Sequence, residues 1–165
     1  AVAFANRDDL KNPFSQTSRE GFSLAMDISA YSLVAMTRSA MPLMSKGGSI
    51  VTMSYLGAVM AVPGYNVMGV AKAALESSVR YLAAELGEKN IRVNAVSAGP
   101  IKTLAASGVG NFKEKLHIME QRSPMKRTIS QEEVGKASLY LLSDLASGVT
   151  GEIHYVDAGF NISAE

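Results

Sequence analysis

Apolar and polar positions change period several times along this chain, and the changes mark out its elements. The opening "AVAFA" is a short apolar run and reads as a buried strand over residues 1–5. The stretch "NRDDLKNPFSQTS" that follows reads as a polar loop, broken at Asn12-Pro13. From Arg19 to about Met44, Phe22, Met26, Tyr31, Val34 and Met41 recur at roughly helical intervals, and Pro42 and Gly47-Gly48 close the run. "SIVTMS" at 49–54 is β-branched and bounded by glycine, a strand signature. A helix is predicted from about Asn66 to Leu86, with Gly87 as its C-cap. Val67, Val70, Ala71, Ala74, Leu75, Val79, Leu82 and Ala83 make that helix apolar nearly all round, so more than one of its sides is covered, one by the sheet and another by a partner subunit. "IRVNAVSAG" at 91–99 is the next strand, and residues 100–129 form a long irregular connection with one short helix near 112–121. Ser130 and Glu133 form a capping box that opens a helix to about Leu142, and "GEIHYVDAG" at 151–159 is the last strand.

Strands alternating with helices point to a single α/β domain, a doubly wound parallel sheet covered on both faces. Ligands in such folds bind beyond the carboxyl ends of the strands. Here those ends are Phe4-Ala5, Ser54-Tyr55, Ser97-Gly99 and Asp157-Gly159.

Composition narrows the classes. Of 165 residues 47% are apolar and 19% charged, which fits a packed domain and not a disordered chain. The formal charge of +1 gives no overall pull toward nucleic acid, and no apolar run is long enough to span a bilayer. Without cysteine there is neither a disulfide nor a thiolate. The start is apolar and lacks both an initiator methionine and a basic leader, so it reads as the middle of a fold whose N-terminal part is missing.

Chemistry concentrates in "SYLGAVMAVPGYNVMGVAKAALE", residues 54–76. Tyr65 and Lys72 are seven residues apart at the start of the predicted helix, on one face and about 10 Å apart along the axis. A phenol, with a reference pKa of about 10, becomes a useful proton donor beside a cation or an oxyanion. An ammonium can supply that field and hold a ligand hydroxyl. A tyrosine and a lysine at this spacing are also compatible with an edge aromatic and a solvated charge. Three features favour chemistry: the Pro63-Gly64 break, the scarcity of charge around Lys72, and Tyr55 at the end of the preceding strand.

Together with "IRVNAVSAGPIKTLAASG", these segments resemble the enoyl-acyl-carrier-protein reductases, a branch of the short-chain dehydrogenase/reductase superfamily. Most of that superfamily carries Tyr-x3-Lys, whereas this branch carries Tyr-x6-Lys, the spacing of Tyr65 and Lys72. The resemblance runs from "REGFSLAMDIS" at 19 to "VDAGF" at 156–160. It implies a Rossmann-like fold and a cytoplasmic homotetramer that reduces the trans-2 double bond of an enoyl-acyl-carrier protein with NADH, the last reductive step of fatty acid elongation. Tyr65 then donates a hydrogen bond to the thioester carbonyl, Lys72 holds the nicotinamide ribose, and Tyr55 is the outer tyrosine near the acyl chain. The segment Ile101, Lys102, Thr103, Leu104 and Ala105 lies along the cofactor, Val2 lines the cofactor, and Ala5 lines the acyl pocket.

Residues 100–129 become a substrate-binding lid by the same resemblance. Between Lys102 and Arg127 six basic residues face two acidic ones, a net +4 that suits an acidic carrier protein. Gly110 and Glu114 stand where the family has basic docking residues. A glycine-rich turn after a first strand is absent from the sequence, as is its acidic partner about 20 residues on. The resemblance explains both by making this chain the C-terminal two thirds of a reductase, inactive alone. Two alternatives stay open: another short-chain reductase, which needs a lysine where Gly69 stands, and an inactive scaffold that keeps only the oligomerising helix.

Overall fold

The computed structural model describes residues 2–101 and 112–163. Lys102, Thr103, Leu104 and Ala105, predicted to follow the cofactor, lie outside the described residues.

Three parallel strands form the sheet: β1 (Gly48–Ser54), β2 (Ile91–Ala98) and β3 (Ile153–Val156), in the order β1-β2-β3. The β1–β2 register runs from Gly48 opposite Ile91 to Ser54 opposite Ser97, and Ala95 to Ala98 of β2 lie opposite Ile153 to Val156. Helix α4 (Val67–Leu86) connects β1 to β2. The connection to β3 carries α5 (Phe112–Arg122) and α6 (Gln131–Leu142).

Successive side chains of a strand point to opposite faces, and β2 uses both. Ile91, Val93 and Ala95 pack with Leu75, Val79, Leu82 and Leu86 of α4. Val96 and Ala98 pack on the other face with Met119, Ile129, Val134 and Leu141. The predicted doubly wound sheet is therefore present, its central strand buried on both sides. The polar residues of β2 tie down the second layer. Arg92 donates to the carbonyls of Leu141, Ser143 and Val149, while fully buried Asn94 donates to Val149 O and accepts from Glu152 N–H.

Before β1 lie α1 (Arg7–Lys11), α2 (Arg19–Met26) and α3 (Ser32–Ala40), the last two joined by a π turn over Asp27–Tyr31. Two local expectations need correction. Residues 2–5 are not a strand: both backbone polar groups of Phe4 pair with the Ser29 hydroxyl, at 2.9 and 3.0 Å, in place of a ladder. The expected polar loop contains α1 because Asp8 and Asp9 favour a helix start and buried Asp9 seats its carboxylate against Gly21, where no Cβ intervenes. Gly87 caps α4 as predicted, at φ −57° and not in the left-handed region, and Asn90, at φ 56°, takes the left-handed turn after a further 3₁₀ turn.

Candidate functional site

At the carboxyl end of β1 the chain enters Tyr55 in extended conformation and then a 3₁₀ turn over Leu56–Ala58. It reverses at Pro63-Gly64, with Gly64 at φ 70°, and Tyr65 closes the turn through its N–H to Val62 O. Asn66 adopts φ 41° and ψ −120°, a strained conformation for a residue with a Cβ. Its side-chain amide is held by the carbonyls of Leu10 and Asn12 at 3.1 and 2.9 Å, with Asp9 O more distant at 3.5 Å. These bonds tie the end of α1 to the start of α4.

The turn delivers the Tyr65 ring to Tyr55, edge to face, with centroids 4.8 Å apart and planes at 66°. Glycines make room for this. A Cβ on Gly57 would lie 2.5 Å from Tyr65 Cδ1, and one on Gly69 would lie 2.7 Å from the Gly57 carbonyl oxygen. Gly69 therefore lets α4 approach the turn, and its position has no room for a lysine.

Lys72 is only 5% exposed, and its Nζ donates to Met53 O at 2.7 Å. Its other two protons have no acceptor among the described residues. Burial lowers its pKa to about 8, and the charge of Glu76 offsets part of that effect. Burial also raises the pKa of Tyr65, and Tyr55 adds to the rise, so the phenol stays protonated across ordinary pH. Tyr55 is raised by burial too. The arrangement is a neutral phenol that can donate and a buried cation with donors to spare.

A cavity of about 580 Å³ opens beyond the strand ends, a volume that suits a ligand of cofactor or acyl size. Tyr55, Gly99, Pro100, Met119 and Phe160 line it, with α1 supplying Arg7 and Lys11. Tyr55 is the predicted site residue on the wall. Tyr65 packs edge to face on Tyr55, and Lys72 reaches the strand end at Met53 O. The structure thus brings Tyr55, Tyr65 and Lys72 to the end of β1. Elsewhere, Ile101 borders a recess with Leu116 and Ile129, Val2 lies in a groove with Ile50 and Leu75, and Ala5 is half-buried.

Some residues of the site carry no sequence signal. Arg7 and Lys11 reach the cavity wall because their segment folds as α1 and not as the expected loop. Arg122 stands 5.7 Å over the Phe160 ring at the cavity edge. Within the basic stretch, Arg127 is committed to Glu133 through two hydrogen bonds of 3.0 and 2.6 Å. Those bonds, with the Ser130 N–H, hold Glu133 at about 2. The predicted capping box is present in full.

The family model described as "Enoyl-(Acyl carrier protein) reductase" matches residues 1–161. An "Enoyl-[acyl-carrier-protein] reductase [NADH] FabI" of Nostoc sp. is 63% identical over 161 residues, which are 98% of this chain and 62% of that relative. An "Enoyl-[acyl-carrier-protein] reductase [NADPH] FabI" of Staphylococcus aureus is 60% identical, with 98% and 63% covered. Among solved structures, the Bacillus cereus enoyl-acyl carrier protein reductase with NADP+ and indole naphthyridinone superposes with a TM-score of 0.97 at 57% identity, covering 99% of this chain and 64% of the other. The reductase of Anaplasma phagocytophilum in complex with NAD gives 0.95 at 50% identity, with 99% and 63% covered. The chain therefore spans a little under two thirds of the length of the relatives it matches.

Proposed function

The chain belongs to the enoyl-acyl-carrier-protein reductase family, and from that premise we propose that the complete protein reduces the trans-2 double bond of an enoyl-acyl-carrier protein in fatty acid elongation, with NADH as the reductant. The observation that carries the proposal is the Tyr55–Tyr65 pair at the end of β1, with the buried Lys72 ammonium beneath it.

The described residues fit a reduced nicotinamide nucleotide. Lys72 holds one proton on Met53 O and leaves two donors, the number that neighbouring ribose hydroxyls require. Reduced nicotinamide supplies a hydride to the substrate β-carbon when bound. The protein's task is the charge that develops on the thioester oxygen. Tyr65 Oη donates a hydrogen bond there, and burial keeps its proton in place until that charge appears. Tyr55 backs the Tyr65 ring and walls the acyl side of the cavity. Gly69 favours this branch over reductases that need a lysine at that position, since the Gly57 carbonyl occupies the space.

Finer features belong to the same proposal. Ile101 to Ala105, with Val2, follow the cofactor, and Ala5 follows the acyl chain. Exposed Arg7, Lys11 and Arg122 beside the cavity suit an acidic carrier protein. The exposed Val70 and Tyr81 on α4 suit a homotetramer, placed in the cytoplasm as for a soluble reductase. Among the described residues no helix is long and apolar enough to cross a membrane.

The test follows the oxidation of reduced nicotinamide with a crotonyl thioester. Tyr65→Phe is expected to lower kcat on the order of a hundredfold, and Lys72→Met to weaken NADH binding with a smaller effect on kcat. Wild-type kinetics in both variants would remove the proposal.

A further inference from the structure

Glu76 is a buried ionisable group with no part in the proposed reaction. Glu76 lies four residues after Lys72, one turn along the same face of α4. It is 5% exposed, and its Oε1 accepts a hydrogen bond of 2.5 Å from Ser54 Oγ, itself 6% exposed. Lys72 grips Met53 O in the same way. One helix face therefore holds two consecutive residues of β1, immediately before Tyr55.

A buried ammonium gives up hydration and tends to shed its proton, and an opposite charge nearby resists this. Glu76 supplies that charge. Other groups do not replace it. Asp9 on α1 and Asp27 in the π turn belong to elements packed on α4, but neither acts on Lys72. From β3, Tyr155 faces Glu76 and also feels Asp157 and Glu152. Tyr55 on the cavity wall and Tyr65 packed against it stay neutral.

We propose that Glu76 is a positioning residue that keeps Lys72 in its ammonium form at the end of β1, with the Ser54 hydroxyl fixing the carboxylate for that purpose. The inference rests on the assignment of Lys72 to cofactor binding for its meaning in function, though not for its physical test. Replacing Glu76 by glutamine keeps the size and an acceptor for Ser54 while deleting the charge. Replacing it by aspartate keeps the charge.

The Lys72 amine is titrated by NMR in the complete protein with ¹³C-labelled lysine, without cofactor, and its signal is assigned by its loss in Lys72→Met. Glu76→Gln is expected to raise the acid dissociation constant of Lys72 about tenfold or more, and Glu76→Asp to leave it near the wild-type value. An unchanged titration in Glu76→Gln overturns the proposal. If Glu76→Gln does not fold, the double variant Lys72→Met/Glu76→Gln decides: folding supports the proposal, because no ammonium then needs a partner, and failure to fold overturns it. NADH affinity measured across pH separates the two levels of the argument. Wild-type affinity should fall as pH rises through about 8, the value for Lys72, and the fall should move to lower pH in Glu76→Gln. A shifted titration with pH-independent NADH affinity would sustain the role of Glu76 and overturn that of Lys72 in the cofactor site.

Discussion

Gly57→Ala tests whether the placement of one ring governs the rate. A methyl group at residue 57 would lie 2.5 Å from Tyr65 Cδ1, 2.9 Å from Cε1 and 3.3 Å from Tyr55 Cδ1. Ordinary van der Waals contact begins at 3.4 Å, so the Tyr65 ring must withdraw by 0.9 Å, the difference between 3.4 and 2.5 Å. Tyr65 is only half-buried and can yield by swinging, so the folding cost should stay near the lower end of the ~1–3 kcal/mol typical of overpacking. The catalytic cost is larger, because a displacement of about 1 Å in a positioned donor can cost on the order of a hundredfold in rate. Turnover of a crotonyl thioester and a thermal melt, both on the complete protein, separate the two costs. The expected result is a kcat lowered far more than stability. Wild-type turnover alongside a lowered melting temperature would refute the reasoning, since the ring would then have moved without consequence.

Two further outcomes are expected. Lys72 is lowered from 10.5 to about 8 in the fold, so between those values the unfolded chain binds more protons than the folded one, and folding stability rises with pH. Across that window wild type should gain about 3 kcal/mol relative to Lys72→Met, measured by urea denaturation at a series of pH values; parallel pH profiles for the two proteins would contradict the burial of the amine. Ser130→Ala removes one half of the capping box of α6 and should cost about 1 kcal/mol of stability with unchanged kcat, read by thermal denaturation and steady-state kinetics.

Local signals in the sequence located the parts of this site that depend on periodicity. β2 was legible because a β-branched run between turns has few alternatives, and its burial on both faces is what a parallel sheet demands. The pairing of Tyr65 and Lys72 with Tyr55 was legible because the Pro63-Gly64 break follows a strand and the helix face carries little charge. What the sequence concealed depends on contacts between distant residues. Residues 2–5 look like a strand by composition, but Ser29, 25 positions from Phe4, supplies both of its hydrogen bonds. Helix α1 needed Gly21 to accept Asp9 before it could pack. Gly87 caps α4, but the left-handed turn falls three residues later at Asn90, after a 3₁₀ turn that the sequence did not signal. Glu76 has no sequence signal of its own, and only the arrival of Ser54 from β1 gives it a partner.

The amide of Asn66 has a mechanical consequence. It hooks the carbonyls that end α1 while its own backbone is the link between the phenol-bearing residue and the long helix. Arg7 and Lys11, on the same short helix, line the cavity. Any displacement of α1 therefore loads the residue that joins Tyr65 to α4, so the cavity wall and the tyrosine pair are mechanically linked.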